Sequence, residues 1–213
     1  MQMIVELMPQ FLSGLLMTLK VFIFTIILAM PLGVITAIGR LSKIKIISRV
    51  TEIYIWIMRG TPLLLQVVFI YFGLPVIGIK FDRFAAIIIA FVLNYGAYFG
   101  EIFRGGISSI DQGQYEGGEV LGMTPSNIFF RIIFPQAVKR IIPAVSNEII
   151  TLVKDTSLVY IVGLDELLRV AKIASNREAS LIPLLLAGVV YLIIVGALTK
   201  MLRNVEGKYN YYS

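Results

Sequence analysis

Two short runs of polar side chains stand out in this chain because they lie where polar groups are expensive. Asn94, Tyr98 and Glu101 are spaced i, i+4, i+7. Glu148, Thr151 and Asp155 are spaced i, i+3, i+7. On α-helices each set falls on one face. Both runs sit in strongly apolar surroundings, where a charged group costs at least about 2.5–3.5 kcal/mol on an insertion scale. Ionisable residues there mark solute or ion paths, or they bridge helices. Two carboxylate-bearing stripes facing each other would form a polar pocket for a cationic or zwitterionic solute. Lys154 projects about 100° away from Asp155 and does not share its face. Arg104 follows Glu101 by three residues and is placed to pair with it, or to anchor the helix end at the interface.

Arg59-Gly60-Thr61-Pro62 is a third candidate. Thr61 as N-cap and Pro62 as first helical residue would restart a helix inside the membrane. Its unpaired N–H groups and positive dipole end would favour a substrate carboxylate, with Arg59 and Thr61 at the site. A simple kink wedging the helix against a neighbour is the competing reading.

The elements that must position these residues are membrane spans. Of 213 residues, 58% are hydrophobic and 15% charged, where soluble domains carry about 25% charged residues. A span needs about 20 mostly apolar residues. Five are read, at about 15–38, 54–76, 84–103, 141–164 and 181–202. The expected fold is therefore an all-α polytopic membrane protein in one domain, 1–213, with no room for a separate soluble unit. The first apolar run lacks the basic start and the cleavage site of a signal peptide. Lys20 reads as an interfacial anchor of the first span.

Loop charges orient the spans. With the N-terminus outside and the C-terminus cytoplasmic, the inside segments hold Arg40, Lys43, Lys45, Arg49, Arg104, Arg131, Lys139, Arg140, Lys200, Arg203 and Lys208. The outside segments hold Lys80, Arg83, Lys154, Arg169, Lys172 and Arg177. The excess follows the positive-inside rule, and it accounts for the net charge of +6 without nucleic acid.

Other chemistries are excluded. There is no cysteine and no histidine, which removes disulfides, thiolate or imidazole metal sites and a Ser-His-Asp hydrolase. No P-loop is present, so the chain is not its own ATPase. Asn127 precedes Ile128 and Phe129 and forms no glycosylation sequon. Tyr209, Tyr211 and Tyr212 read as interfacial aromatics or as a disordered tail. No internal repeat is visible, and five spans do not divide into two inverted halves, which argues against a self-contained carrier.

Between the third and fourth spans lies the polar, glycine-rich segment Glu116–Pro135, EGGEVLGMTPSNIFFRIIFP. It resembles the docking-loop pattern of ATP-binding-cassette importer permeases: E-A-A, three residues, Gly, nine residues, Ile-x-Leu-Pro. Glu116, Gly117, Gly118, Gly122, Ile132, Ile133, Phe134 and Pro135 occupy the pattern, with both alanines replaced by glycine and leucine by phenylalanine. Met58–Leu63, Gly100–Gly106 and Leu152–Leu158 resemble further strings of the polar amino-acid uptake branch (histidine, glutamine and arginine type).

The resemblance implies a type I importer in the bacterial inner membrane. The permease would pair with a second copy or close paralogue, two ATPase subunits would bind below, and an extracytoplasmic binding protein would deliver the amino acid. Glu116, Gly117, Gly118 and Gly122 would form the cytoplasmic coupling helix. No cofactor is expected in this chain, since ATP and Mg would belong to the partner ATPase. The two glycines in place of alanine should weaken the coupling helix by about 0.5–1 kcal/mol each. Three carboxylates near the pocket favour a basic substrate such as arginine or lysine, with histidine and glutamine open; Glu148 is the better specificity candidate. An ATP-independent ion channel and an intramembrane enzyme using Glu101 and Asp155 as acid and base are the alternatives.

Overall fold

The computed structural model describes residues 2–209, with side chains from Leu7 onward; Tyr211 and Tyr212 lie outside that range. The described residues form helices α1 (Gln2–Arg40), α2 (Lys45–Gly60), α3 (Leu63–Val68), α4 (Arg83–Ser108), α5 (Gln112–Val120), α6 (Pro125–Ile128), α7 (Phe134–Asp155), α8 (Leu167–Arg177) and α9 (Ile182–Tyr209). π-turns follow α3 and α6, and 3-10 turns span Leu74–Ile77 and Thr156–Val162.

Among the described residues, three helices, α1, α4 and α9, are long and apolar enough to cross a bilayer. A fourth crossing arises if α2 and the Leu63–Ile77 segment count as one span broken by a 103° bend. The expected fourth span is helical only as far as Asp155, where α7 gives way to the 3-10 turn. Its charges make α7 amphipathic rather than apolar throughout.

α4 is the central helix. Asp82 caps its start, accepting from the backbone N–H groups of Phe84 and Ala85 at 2.9 and 3.1 Å. It packs along α1 through small residues. A Cβ on Gly96 would stand 2.6 Å from Leu32, and one on Gly100 2.5 Å from Thr36. Close backbone approach at small-xxx-small positions is how helices associate in lipid, where the hydrophobic effect offers no drive between them. Phe91, Tyr95 and Phe99 fill the core beside this seam and are buried. Lys20 stacks on the Phe84 ring at 4.6 Å, so the expected anchor also ties α1 to the start of α4.

The α2–α3 break differs from expectation in its capping. Thr61 is extended (φ −121°, ψ 146°) and closes α2, while Pro62 is the residue that caps α3. The cause is the proline, which drives its predecessor out of the helical region. The Thr61 hydroxyl donates back to the Ile57 carbonyl at 2.8 Å instead of capping the next helix. Gln66 secures the break, its amide donating to the Met58 carbonyl (2.9 Å) and the Thr61 hydroxyl (2.8 Å).

α8 is held by buried polar contacts. Glu166, fully buried, caps it by accepting from Leu168 N and Arg169 N, both at 2.6 Å, and from the Tyr191 hydroxyl of α9 at 3.0 Å. Thr18 of α1 accepts from Leu167 N at 3.3 Å.

Candidate functional site

The bend in the second span places the end of α2 against α4 and α7, and a cavity of about 580 Å³ opens between them. Arg59 and Thr61 come from the break, Asn94, Tyr95 and Tyr98 from α4, and Glu148, Thr151 and Asp155 from α7. The two stripes thus meet, except for Glu101. The volume falls in the range of small-molecule sites, about 300–1,000 Å³.

The lining residues divide by how far their hydrogen-bonding capacity is already used. Asn94 is buried and donates to Met58 O (2.9 Å) and Gln66 Oε1 (3.1 Å), so its amide braces the helix break. Thr151 donates to Asn147 O along its own helix at 3.0 Å. Asp155 accepts from the Tyr95 hydroxyl at 2.7 Å, which joins α7 to α4. Glu148 is half-buried and makes no hydrogen bond or ion pair with the described residues. Arg59 is exposed and lies 5.0 Å from the Tyr98 ring centre, in cation–π range. It attracts the Glu148 carboxylate without forming an ion pair with it.

Glu101 is placed elsewhere. It lines a separate cavity with Arg40 and Arg104, and its carboxylate accepts from Arg104 Nε at 2.9 Å. Its pairing with Arg104 is as expected, and its share in the Asn94 stripe is not. Lys154 is exposed and absent from the cavity lining.

Tyr95 was not among the expected site residues. It is buried, and a buried tyrosine hydroxyl within a membrane needs a partner, which was the available signal. Gln66 carries no sequence signal, because its role appears only once the chain bends.

The Glu116–Gly122 segment lies mostly on α5. Asp111 caps that helix through Gly113 N at 2.7 Å. Gly122 ends it with φ +70°, and the bonds Met123 N→Gly118 O and Gly122 N→Glu119 O make a Schellman motif. Gly118 is buried, and a Cβ there would stand 2.7 Å from Ile128, whereas Gly117 faces open space. Glu116 is exposed, as are two apolar neighbours, Val120 at 87% and Leu121 at 78%. An exposed apolar tip on an otherwise polar loop calls for a partner surface.

The protein-family model described as "binding-protein-dependent transport system inner membrane component" matches residues 29–208. The chain belongs to this family. It is 37% identical over 202 residues to the arginine transport system permease protein ArtQ of Bacillus subtilis (strain 168), covering 94% of this chain and 92% of the relative. A putative glutamine transport system permease protein GlnP of Rickettsia conorii is 38% identical over 92% of this chain and 91% of its own. The L-cystine transport system permease protein TcyB of Bacillus subtilis (strain 168) is 38% identical over 94% of this chain and 86% of its own. Among solved structures, an amino acid ABC transporter with histidines superposes with a TM-score of 0.91 at 35% identity, covering 96% of each chain. An inward-facing MetNI methionine ABC transporter shares the fold, with a TM-score of 0.72 at 19% identity.

The chain is therefore a multi-pass inner-membrane permease subunit of an amino-acid ABC importer. It is a transporter component, and the ATPase of this family is a separate subunit. The intramembrane-enzyme and uncoupled-channel alternatives fall with that membership. The family implies ATPase and binding-protein partners.

Proposed function

We propose that the cavity between α2, α4 and α7 is the transport site and that it carries a basic amino acid, arginine or lysine. The observation that supports this is its charge: two carboxylates, Glu148 and Asp155, and one guanidinium, Arg59, give a net −1. A basic amino acid has two cationic groups, one carboxylate and a net +1, the complement of that set. A neutral zwitterion such as glutamine would leave one carboxylate without a cation. Glu148 takes the substrate side chain, because its oxygens lack other partners. Asp155, oriented by Tyr95, and Thr151 face the α-ammonium. Arg59 receives the α-carboxylate, with Thr61, Asn94 and Tyr98 shaping the wall. The relatives named for arginine, glutamine and cystine stand at similar identity, so their names do not choose the substrate, and this reading rests on the cavity charge.

The chain crosses the membrane five times, with its N-terminus outside and its C-terminus cytoplasmic. α5 is then cytoplasmic, and its Glu116–Gly122 face docks on the ATPase with Val120 and Leu121 entering the groove. A second permease copy or close paralogue completes the pathway. ATP and Mg bind the partner ATPase, and this chain holds no cofactor.

Equilibrium binding to the purified permease–ATPase complex tests the substrate, using arginine, lysine, histidine, glutamine and cystine as competitors. Arginine and lysine should bind most tightly; a preference for glutamine or cystine overturns the assignment. Glu116→Lys tests the docking face and should abolish both ATPase assembly and uptake. Intact assembly with normal uptake would place the docking face elsewhere.

A further inference from the structure

A second polar cavity, of about 780 Å³, lies beside the first and carries the opposite charge. Arg40, Arg49, Arg59 and Arg104 line it together with only two carboxylates, Glu52 and Glu101, for a net +2, or +1 when the shared Arg59 is assigned to the first cavity. The carboxylates are shared: Glu52 meets Arg40 at 3.3 Å and Arg49 at 3.1 Å, and Glu101 meets Arg104. Arg59 forms no ion pair among the described residues and lines both cavities, as does Gly60, so the two spaces adjoin. The second cavity lies toward the α5 end of α4, because Arg104 is one helical turn from Ser108, where α4 stops.

We infer that this cavity is a separate amino-acid site on the release side, selective for acidic amino acids such as glutamate, and that its occupancy slows import. The assignment to the release side rests on the orientation proposed above. An acidic amino acid has two carboxylates, one ammonium and a net −1. Its carboxylates suit the Arg49 and Arg59 guanidiniums, which recognise carboxylates through paired N–H donors. Its ammonium suits Glu52. A basic substrate meets the reverse arrangement, attracted into the first cavity and repelled from the second, so it does not rest in the second on its passage inward. A glutamate beside Arg59 obstructs that passage and competes for the guanidinium that faces the transport site.

Trp56 is the one tryptophan of the chain and lines this cavity, so its fluorescence reports occupancy without reference to transport. L-glutamate is titrated into the complete permease–ATPase complex in nanodiscs, against sodium chloride at equal ionic strength, with Trp56→Phe as the blank. A saturable Trp56-dependent change is expected. Arg49→Glu should weaken it at least about five-fold, the worth of one exposed ion pair of about 1 kcal/mol. Arg49→Lys should retain most of it, and Glu148→Gln should leave it unchanged. No Trp56-dependent signal, equal affinity in Arg49→Glu, or tighter binding of arginine than of glutamate overturns the site. Loss of the signal in Glu148→Gln would place the ligand in the transport cavity and overturn it equally. Glutamate sealed on the cytoplasmic face of proteoliposomes should slow uptake of whichever amino acid the complex carries, and Arg49→Glu should relieve the slowing. Unchanged uptake overturns the regulatory role. A wrong transport substrate would show in the competition panel while leaving the Trp56 titration intact.

Discussion

Glu148→Gln is the sharpest probe of the proposed transport site, since it removes one charge and almost no volume. Glu148 has no partner among the described residues, so the substitution breaks no internal bond. The expected loss follows from what the carboxylate would do for a cationic side chain. At an effective dielectric constant of about 20, opposite unit charges about 4 Å apart attract by about 4 kcal/mol. Desolvation of both groups offsets much of this, and hydrogen bonds to charged groups net about 1.5–3 kcal/mol. Arginine and lysine affinity should therefore fall about 10- to 150-fold. Glutamine affinity should change less than about three-fold, because the substrate amide can donate to a carboxylate and can donate to or accept from the amide that replaces it. The assay is competition against labelled arginine on the purified complex without its binding protein, whose own selectivity would otherwise mask the permease. An equal fall for arginine and glutamine would mean that Glu148 holds the α-ammonium common to all amino acids. No fall for either would remove Glu148 from the site.

Gly117→Ala should stabilise α5 by about 0.5–1 kcal/mol, since the position is helical and open. Gly118→Ala should instead destabilise the loop by about 1–3 kcal/mol, because the new methyl meets Ile128 at 2.7 Å. Thermal unfolding of the complex distinguishes the two, and equal effects would refute the packing argument. Glu166→Ala should cost about 2–4 kcal/mol by removing the α8 cap and leaving the Tyr191 hydroxyl without its acceptor. Glu166→Gln should recover part of that loss in the same melting assay, and full stability in the alanine variant would contradict the capping role.

The polar stripes were legible because carboxylates at helical spacing in an apolar run have few structural explanations. Angular position carried Glu148 and Asp155 correctly into one cavity. It failed for Glu101, because angular position does not say where along α4 the first cavity ends. α4 runs past the first cavity, and Glu101 meets Arg104 in the second. Arg59-Gly60-Thr61-Pro62 announced a break, yet no local rule supplies a 103° angle, which depends on Gln66 and Asn94 packing into the corner. The Gly117-Gly118 pair, read from sequence as a uniform weakness, separates into one glycine demanded by Ile128 and one without a structural demand. Val120 and Leu121 were hidden by the polar average of their loop, and only their exposure distinguishes them.

α7 links the proposed coupling helix to the proposed transport site. Gln136 near its start donates to Gln114 of α5 at 3.1 Å, and Arg140 bonds the Ser109 carbonyl at the end of α4. Ile128, Ile133 and Ala137 form a small buried core beneath the loop. Gln136 and Glu148 are twelve residues apart, about 18 Å along a helix. Pro143 lies between them and removes one hydrogen bond of the helical ladder. Through these contacts a displacement of α5 is expected to move α7, and with it Glu148 and Asp155, past α4. The contact that resists this motion at the site is the Tyr95–Asp155 bond, which joins the two helices at 2.7 Å. A hydrogen bond to a carboxylate nets about 1.5–3 kcal/mol. Tyr95→Phe should thus release the conformation seen here, raising ATP hydrolysis without substrate by about ten-fold or more if that bond holds back the power stroke (about 1.4 kcal/mol per decade). Unchanged basal hydrolysis together with normal substrate affinity would show that α4 and α7 do not separate at this point, and the lever would have to act through the α7–α9 contact instead.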